Sequence, residues 1–384
     1  MPQEPSPSPA HPLWDAAQRP ISNSFLAIYR VCLGAGLLWQ VWWYFSSDLI
    51  RNYYIDPTLH FTWYGFDWVQ PWPGRGMYVH FFVLAVAALC VLLGFFYRTA
   101  IVVFWLGYSY VFLIDKCWYL NHYYLICLLG FVSSFLPAGR RLSLDAWRHP
   151  ETKTDQAPAW TSWALRAIVG IPYFYGGIAK INSDWLRGEP IRTWLADSTD
   201  FPLIGNWFTH EWCVAVFVYG GLVIDLLAVP CLLWRKTRPV ALAVLILFHL
   251  TNARLFHIGV FPWLMIALTV IVYTDPARWE RYLPQVRHPA PSGLAPSGLA
   301  PLVLAVFFAL QLVVPLRHWL YPGDVAFTRE GHHFAWRMKL NIRSIDLKVF
   351  TTDEDGDREQ ISLRPFLTGP QARKVRDPDM ILHL

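Results

Sequence analysis

Long apolar runs alternate with short polar stretches along most of the chain. Runs at 24–45, 76–96, 99–114, 119–136, 160–179, 212–234, 239–252, 255–273 and 299–316 are each read as a helix crossing a membrane. The run 239–252 is short for a span and is read as tilted or screened by neighbouring helices. Tight turns are expected at 97–99, at Asp115-Lys-Cys-Trp118, and through Ala253 and Arg254. Two longer polar segments, 46–75 and 181–210, are rich in aromatic residues. The first carries the turn signals Asp56-Pro57, Gly65 and Pro71-Trp-Pro-Gly74, and either lies on the membrane surface or roofs a pocket. Residues 1–20, rich in Pro and Ser without an apolar core, are read as a flexible N-terminal segment.

After the last apolar run the period changes. From Trp336 to Phe350 the pattern approximates alternation with period two, which predicts a strand. Asp353-Glu-Asp-Gly356 predicts a hairpin turn, with a second strand entering at Ile361. The fold class is thus an all-α polytopic membrane bundle of about nine transmembrane helices, with a small C-terminal extracytoplasmic β-containing cap. The expected boundaries are 1–20 for the flexible segment, 21–316 for the membrane domain and 317–384 for the cap.

Composition agrees with a membrane solvent. The chain is 55% hydrophobic and 15% charged, against about 25% charged in soluble domains. Its mean hydropathy is +0.30. The net charge of +5 is spread over short loops, so nucleic acid is not an expected partner. The six cysteines form no C-x-x-C pair and mostly sit in apolar runs, as small buried hydrophobes do. Charge also orients the bundle. With the N-terminus cytoplasmic, the loops at residues 98, 137–158, 235–238 and 274–298 carry eleven Lys and Arg, and the opposite loops carry six besides Lys180. The positive-inside rule therefore places the N-terminus inside and the C-terminal cap outside. Both aromatic-rich segments, Lys180, the start of the fourth span and the turn near Asn252 then share the outer face.

Polar groups in or near lipid mark a site or a packed polar contact. Lys180 closes the fifth span, with Gly176 and Gly177 one turn before it, leaving a gap that a flat ligand or another backbone can fill. An amine on an apolar wall loses hydration, which favours its neutral, basic form; the bland alternative is a lysine snorkelling to the membrane surface. Asp184, four residues on, pairs with it only if the helix continues, and Gly188 and Pro190 point to an early end. Asn121 and His122 open the fourth span. His122 is either a wetted interfacial side chain or a group that orients a ligand or carries a proton. His249 and Asn252 share one face of the seventh span, with His257 close beyond. No carboxylate accompanies them at metal-ligand spacing, so an interhelical hydrogen-bond network or a ligand contact is expected and no metal. Asp225 lies in mid-span and needs a partner, with Arg30 and Arg166 as candidates. No P-loop, dinucleotide fingerprint or serine nucleophile elbow occurs.

Four stretches together resemble the vitamin K-dependent gamma-glutamyl carboxylase family, within the wider set of HTTM-domain membrane proteins. They are Asp115-Lys-Cys-Trp-Tyr-Leu-Asn-His-Tyr-Tyr-Leu125, Gly177-Ile-Ala-Lys-Ile-Asn-Ser-Asp-Trp185, Phe248-His-Leu-Thr-Asn-Ala-Arg-Leu-Phe-His-Ile-Gly-Val-Phe-Pro262, and the segment Tyr321 to Trp336. The resemblance spans about residues 20–384. It implies an enzyme that oxidises vitamin K hydroquinone with O₂ to the epoxide, generating a strong base that removes a γ-proton from a peptide glutamate. CO₂ then adds. By this resemblance Lys180 deprotonates the hydroquinone and His122 lies near the quinone. The segment 321–336, ending in Trp336, handles the glutamate side. Asn121, Gly176, Gly177, His249, Asn252 and Trp336 are the expected substrate contacts. The implied partners are a lipid-soluble quinol, membrane lipids and a glutamate-containing peptide or protein, with no metal. Animal members carry a longer lumenal portion, so the short form implies a bacterial inner-membrane protein with a reduced surface for a substrate propeptide. The competing readings are a hydroquinone epoxidase without peptide carboxylation and a non-enzymatic transporter or scaffold.

Overall fold

The computed structural model describes residues 12–256, 258–283, 298–340, 342, 347–352, 356–363, 365–375 and 377–383. Each expected apolar run is helical over most of its length. The helices are α1 Ser24–Ser46, α2 Gly76–Leu93, α3 Tyr97–Ile114, α4 Asn121–Phe135, α5 Ala159–Ala179, α6 Glu211–Leu233, α7 Arg238–Phe256, α8 Phe261–Tyr273 and α9 Ala300–Val313. Six of them are long and apolar enough to cross a membrane: α1, α2, α3, α6, α7, and α9 with its 3₁₀ extension to Leu320. A bilayer core needs about 20 helical residues; α4 has 15 and α8 has 13. With 21 residues α5 has the length, but it carries Thr161, Ser162 and Arg166 and is buried along most of its course. A helix surrounded by protein need not be uniformly apolar.

Two boundaries differ from the sequence reading. The turn expected at Ala253 and Arg254 is absent. These residues continue α7 to Phe256, because nothing in Thr251–Phe256 breaks a helix. The seventh run is therefore 19 residues long rather than short. The break falls instead at Gly259, whose φ of 59° suits glycine, and α8 starts at Phe261 with Pro262 in its first turn.

Consecutive helices pack in order from α1 to α4 and from α5 to α8, and α8 returns against α1 and α5. A short antiparallel pair, β1 Pro20–Ser22 with β2 Gln156–Pro158, ties the start of α1 to the start of α5. Pro12–Gln18, within the segment read as flexible, forms a short helix; residues 1–11 lie outside the described residues. Arg30, fully buried on α1, donates to the carbonyls of Val91 at 3.1 Å, Leu92 at 2.7 Å and Leu142. It thereby satisfies the last carbonyls of α2, which have no partner within the helix. The Asp145 carboxylate accepts from the Phe96 and Tyr97 amides, at 2.7 and 2.8 Å, and so caps α3. Most of α7 and α9 faces outward with apolar side chains, as a helix does when its solvent is lipid. All six cysteines are free thiols.

The C-terminal segment departs from the expected strand. Residues 333–336 form a turn and 337–340 are irregular, with Phe334, Trp336 and Lys339 at φ between 50° and 60°. Non-glycine residues in that region cost about 1–2 kcal/mol each, so packing against the bundle holds them there. Trp336 is fully buried, 5.3 Å from Tyr124 of α4, and its role as an anchor overrides the alternating pattern. Among the described residues the strand is β3 Val349–Thr352, which pairs antiparallel with β4 Arg358–Ile361; residues 341 and 343–346 of the expected strand lie outside them. The second strand thus ends rather than begins at Ile361. The expected turn residues 353–355 lie outside the described residues.

Candidate functional site

The end of α5 is set by local chemistry. The Asn182 amide bonds the Lys180 carbonyl at 2.9 Å, and the Asn182 side chain accepts from the Trp185 amide at 2.9 Å. The chain turns sharply after Lys180, which points the lysine back into the bundle. Its ammonium forms an ion pair with Asp225 of α6, with both side chains at most 10% exposed, and lies 5.2 Å from the Trp185 ring. Neither Arg30 nor Arg166, the candidates from sequence, takes the Asp225 carboxylate. Arg30 serves the α2 carbonyls, and Arg166 donates to the Val272 carbonyl at 3.1 Å. Asp184 pairs instead with Arg187 at the surface.

Glycines make room for this pair. A methyl group at Gly176 would meet Asp225 Oδ2 at 3.2 Å, and one at Gly221 would lie 4.0 Å from Lys180 Cε. At Gly177 it would press on Leu226 at 2.7 Å, with the Leu226 backbone at 3.0 Å. The space beside Gly176 and Gly177 is therefore taken by α6, and the gap read from sequence is the close approach of two helices.

Lys180 and Asp225 line a mostly apolar cavity of about 340 Å³ between α5, α6, α7 and α8. His249 and Asn252 also line it, on one face of α7 as their spacing requires. The Tyr173 hydroxyl bridges His249 Nε2 at 2.7 Å and Thr269 Oγ1 at 3.0 Å. With Tyr173 donating to Nε2, the ring proton sits on Nδ1, which is buried without a partner among the described residues. The nitrogen is closed off from the cavity, so the ring meets it through its other atoms. Along the α6–α7 side the wall contains Gly220, with open space beside it, and the exposed side chains of Val216 and Leu247. The cavity reaches the outer surface of the bundle there.

A second cavity, of about 250 Å³, lies against the first and shares Ile258, Phe261, Met338 and Lys339 with it. Asn121 and His122 line this one, together with Lys116, Arg329, Arg337 and Lys374. Two of its cations are neutralised: Lys116 pairs with Asp379 at 2.7 Å and Arg329 with Asp377 at 2.6 Å. Arg337, Lys339 and Lys374 have no carboxylate partner among the described residues, and Arg337 is buried. Lys339 rests on the rings of Phe256 and Trp194, 4.9 and 5.4 Å from their centres. A half-desolvated cluster of unpaired cations favours an anionic ligand.

His333, which faces Asp377 at 3.5 Å, does not add to that charge at neutral pH. Burial holds its imidazole down to about 4, partly offset by Asp377. The unfolded chain, with its histidine at 6.5, binds more protons between these values, so acidification through this window weakens the folded state. The thermal midpoint in detergent is expected to fall from pH 6.5 towards pH 4, with a smaller fall for His333→Gln.

The expected site residues thus divide. Lys180, His249 and Asn252 meet at the apolar cavity, while Asn121 and His122 line the cationic one. Gly176 and Gly177 pack α5 on α6, Trp336 lines neither cavity, and His257 lies outside the described residues. Sequence reasoning missed Tyr173, Arg337, Lys339 and Lys374 and did not choose Lys180 as the partner of Asp225. The one available signal was Arg337-Met-Lys339 beside the buried Trp336, two cations in a segment read as an ordinary strand. Among the described residues no three His, Cys, Asp or Glu side chains gather as a metal site.

These features define a polytopic integral membrane protein with a buried ion pair facing an apolar cavity and a cationic cavity beside it. Residues 18–279 match the family model described as the HTTM domain, and residues 297–384 match that of the vitamin K-dependent gamma-carboxylase lumenal domain. The chain belongs to the vitamin K-dependent gamma-carboxylase family. No solved structure matches it.

Proposed function

We propose that this protein oxidises vitamin K hydroquinone with O₂ to the epoxide and uses the base so generated to carboxylate glutamate side chains with CO₂. The observation that carries this reading is the contact between the two cavities, one apolar with a proton-accepting group, the other cationic. A flat quinol ring suits the first, and a carboxylate suits the second. The fit is chemical as well as spatial: the apolar walls exclude water, and Lys180 with Asp225 offers a place for the quinol proton. In this reading Lys180 takes the hydroquinone proton, with His249 and Asn252 orienting the ring. His122 stands with Phe261 at the junction, their rings 5.9 Å apart, between quinol and carboxylate. Arg337 and Lys374 hold the glutamate. Oxidation of the quinol supplies the strong base; the protein binds, orients and keeps water away.

The topology belongs to the same proposal. Residues 21–316 form the catalytic membrane domain, with the N-terminus cytoplasmic and residues 317–384 outside, in a bacterial inner membrane. The test is purified protein in nanodiscs with reduced vitamin K, O₂, labelled bicarbonate and a short glutamate peptide. Epoxide together with label in the peptide is the expected result. Epoxide without label restricts the function to epoxidation, and neither product across several quinols overturns the proposal.

A further inference from the structure

We propose that the base in the apolar cavity is the Lys180–Asp225 pair, with Asp225 as the group that ends up holding the proton. This rests on the hydroquinone reading above and goes beyond it in assigning the proton to a carboxylate.

The argument starts from proton inventory. An ammonium has no lone pair and cannot accept a proton. An amine can, but Lys180 is not alone: its Nζ bonds the Asp225 carboxylate, and both side chains are buried. Whichever way the pair shares its protons, as ammonium with carboxylate or amine with carboxylic acid, it is neutral and keeps one acceptor site. When the quinol O–H bond breaks, its proton fills that site. The product is an ammonium beside a carboxylic acid, carrying one positive charge, next to a quinolate carrying one negative charge. Atoms and charge balance without a further reactant. The ammonium exchanges one anionic oxygen for another, so no charge is left alone on an apolar wall, which is the costly state there.

The packing favours this assignment over a merely structural ion pair. Asp225 lies against Gly176, Lys180 Cε lies near Gly221, and both members of the pair line the cavity. A pair serving only to join helices has no need of an accessible wall. The other titratable groups lining the cavity are Tyr173 from α5, His249 from α7 and Lys339 from the C-terminal segment. Tyr173 and His249 are bonded to each other, and Lys339 rests on Phe256 and Trp194. None of them bonds the pair.

The test is the pH profile of epoxide formation in Asp225→Asn and Asp225→Glu. If the pair is the base, removing the carboxylate leaves a lone amine that must first lose its own proton. Activity at neutral pH falls about 100-fold, and the acid limb moves to higher pH, with partial recovery under alkaline conditions. Asp225→Glu keeps the wild-type limb. If the lysine alone is the base, the carboxylate only holds its proton on, and removing it moves the limb to lower pH; that shift, or no shift, overturns the proposal. A second measurement needs no variant. Infrared difference spectra of the wild type on anaerobic quinol binding are expected to show a protonated-carboxyl band that shifts in D₂O, and its absence overturns the assignment. If the wild type makes no epoxide, the hydroquinone reading fails and this inference with it. If the wild type makes epoxide and the limb moves the wrong way, only the inference fails.

Discussion

Lys180→Ala is expected to lower epoxide formation by about 1,000-fold, within the usual contribution of a positioned proton acceptor, while quinone binding changes only a few-fold. The separation follows from the geometry. In the proposed reading the apolar walls hold the ring, whereas Lys180 meets the bond that breaks. Lys180→Arg is expected to fail as completely. A guanidinium stays protonated, so with Asp225 it keeps a charge pair of another shape, and its planar fork needs more width than an ammonium. A methyl group at Gly221 would lie 4.0 Å from Lys180 Cε, which shows how closely α6 approaches. Initial rates of epoxide formation beside equilibrium binding of the oxidised quinone check this. Epoxide formation retained in Lys180→Arg would take the lysine out of the proton transfer and leave the Asp225 carboxylate as the acceptor.

The second large effect is expected at the cationic cavity. Arg337→Gln should raise the KM for a glutamate peptide about 100-fold, the scale of a lost charge-assisted hydrogen bond, with little change in kcat once the peptide saturates. Arg337 is buried and without a carboxylate partner among the described residues, so an incoming carboxylate meets a guanidinium whose hydration is already lost. Lys374 is exposed at the same cavity. Lys374→Glu should therefore weaken peptide binding less and in a salt-dependent manner, as rim charges do. Peptide carboxylation measured against peptide concentration at two ionic strengths separates the two contributions. Equal KM values for Arg337→Gln and wild type would take the glutamate away from this cavity.

Much of the architecture is legible in the chain because lipid imposes a simple rule on each helix separately. The apolar runs announce α1 to α9 without reference to one another. Lys180 also stands out locally, as a cation at the end of such a run with two glycines behind it. What the sequence does not show is pairing across the fold. Asp225 lies 45 residues from Lys180, and no spacing rule prefers it over Asp184 as a partner. The direction of the chain after Lys180 decides, and that depends on Asn182 and Trp185. Gly176 and Gly177 signal close packing but not which helix fills the space. The alternation after Trp336 satisfies the strand template, yet Trp336 is claimed by Tyr124, and the backbone turns left-handed three times to deliver it. The end of α7 departs from the sequence pattern for a milder reason. A polar Asn-Ala-Arg triplet resembles a turn, but only Gly259 and Pro262 supply the backbone geometry of one.

The opening of the apolar cavity between α6 and α7, at Val216, Gly220 and Leu247, bears on how affinity for a quinol is to be expressed. A ligand that arrives sideways from the bilayer is drawn from a two-dimensional reservoir. Its chemical potential is then fixed by its mole fraction among lipids, not by its amount per litre of buffer. Adding empty lipid at constant quinol dilutes that reservoir and slows the reaction although nothing aqueous has changed. Affinities compared between detergent and nanodiscs are commensurable only when stated per lipid.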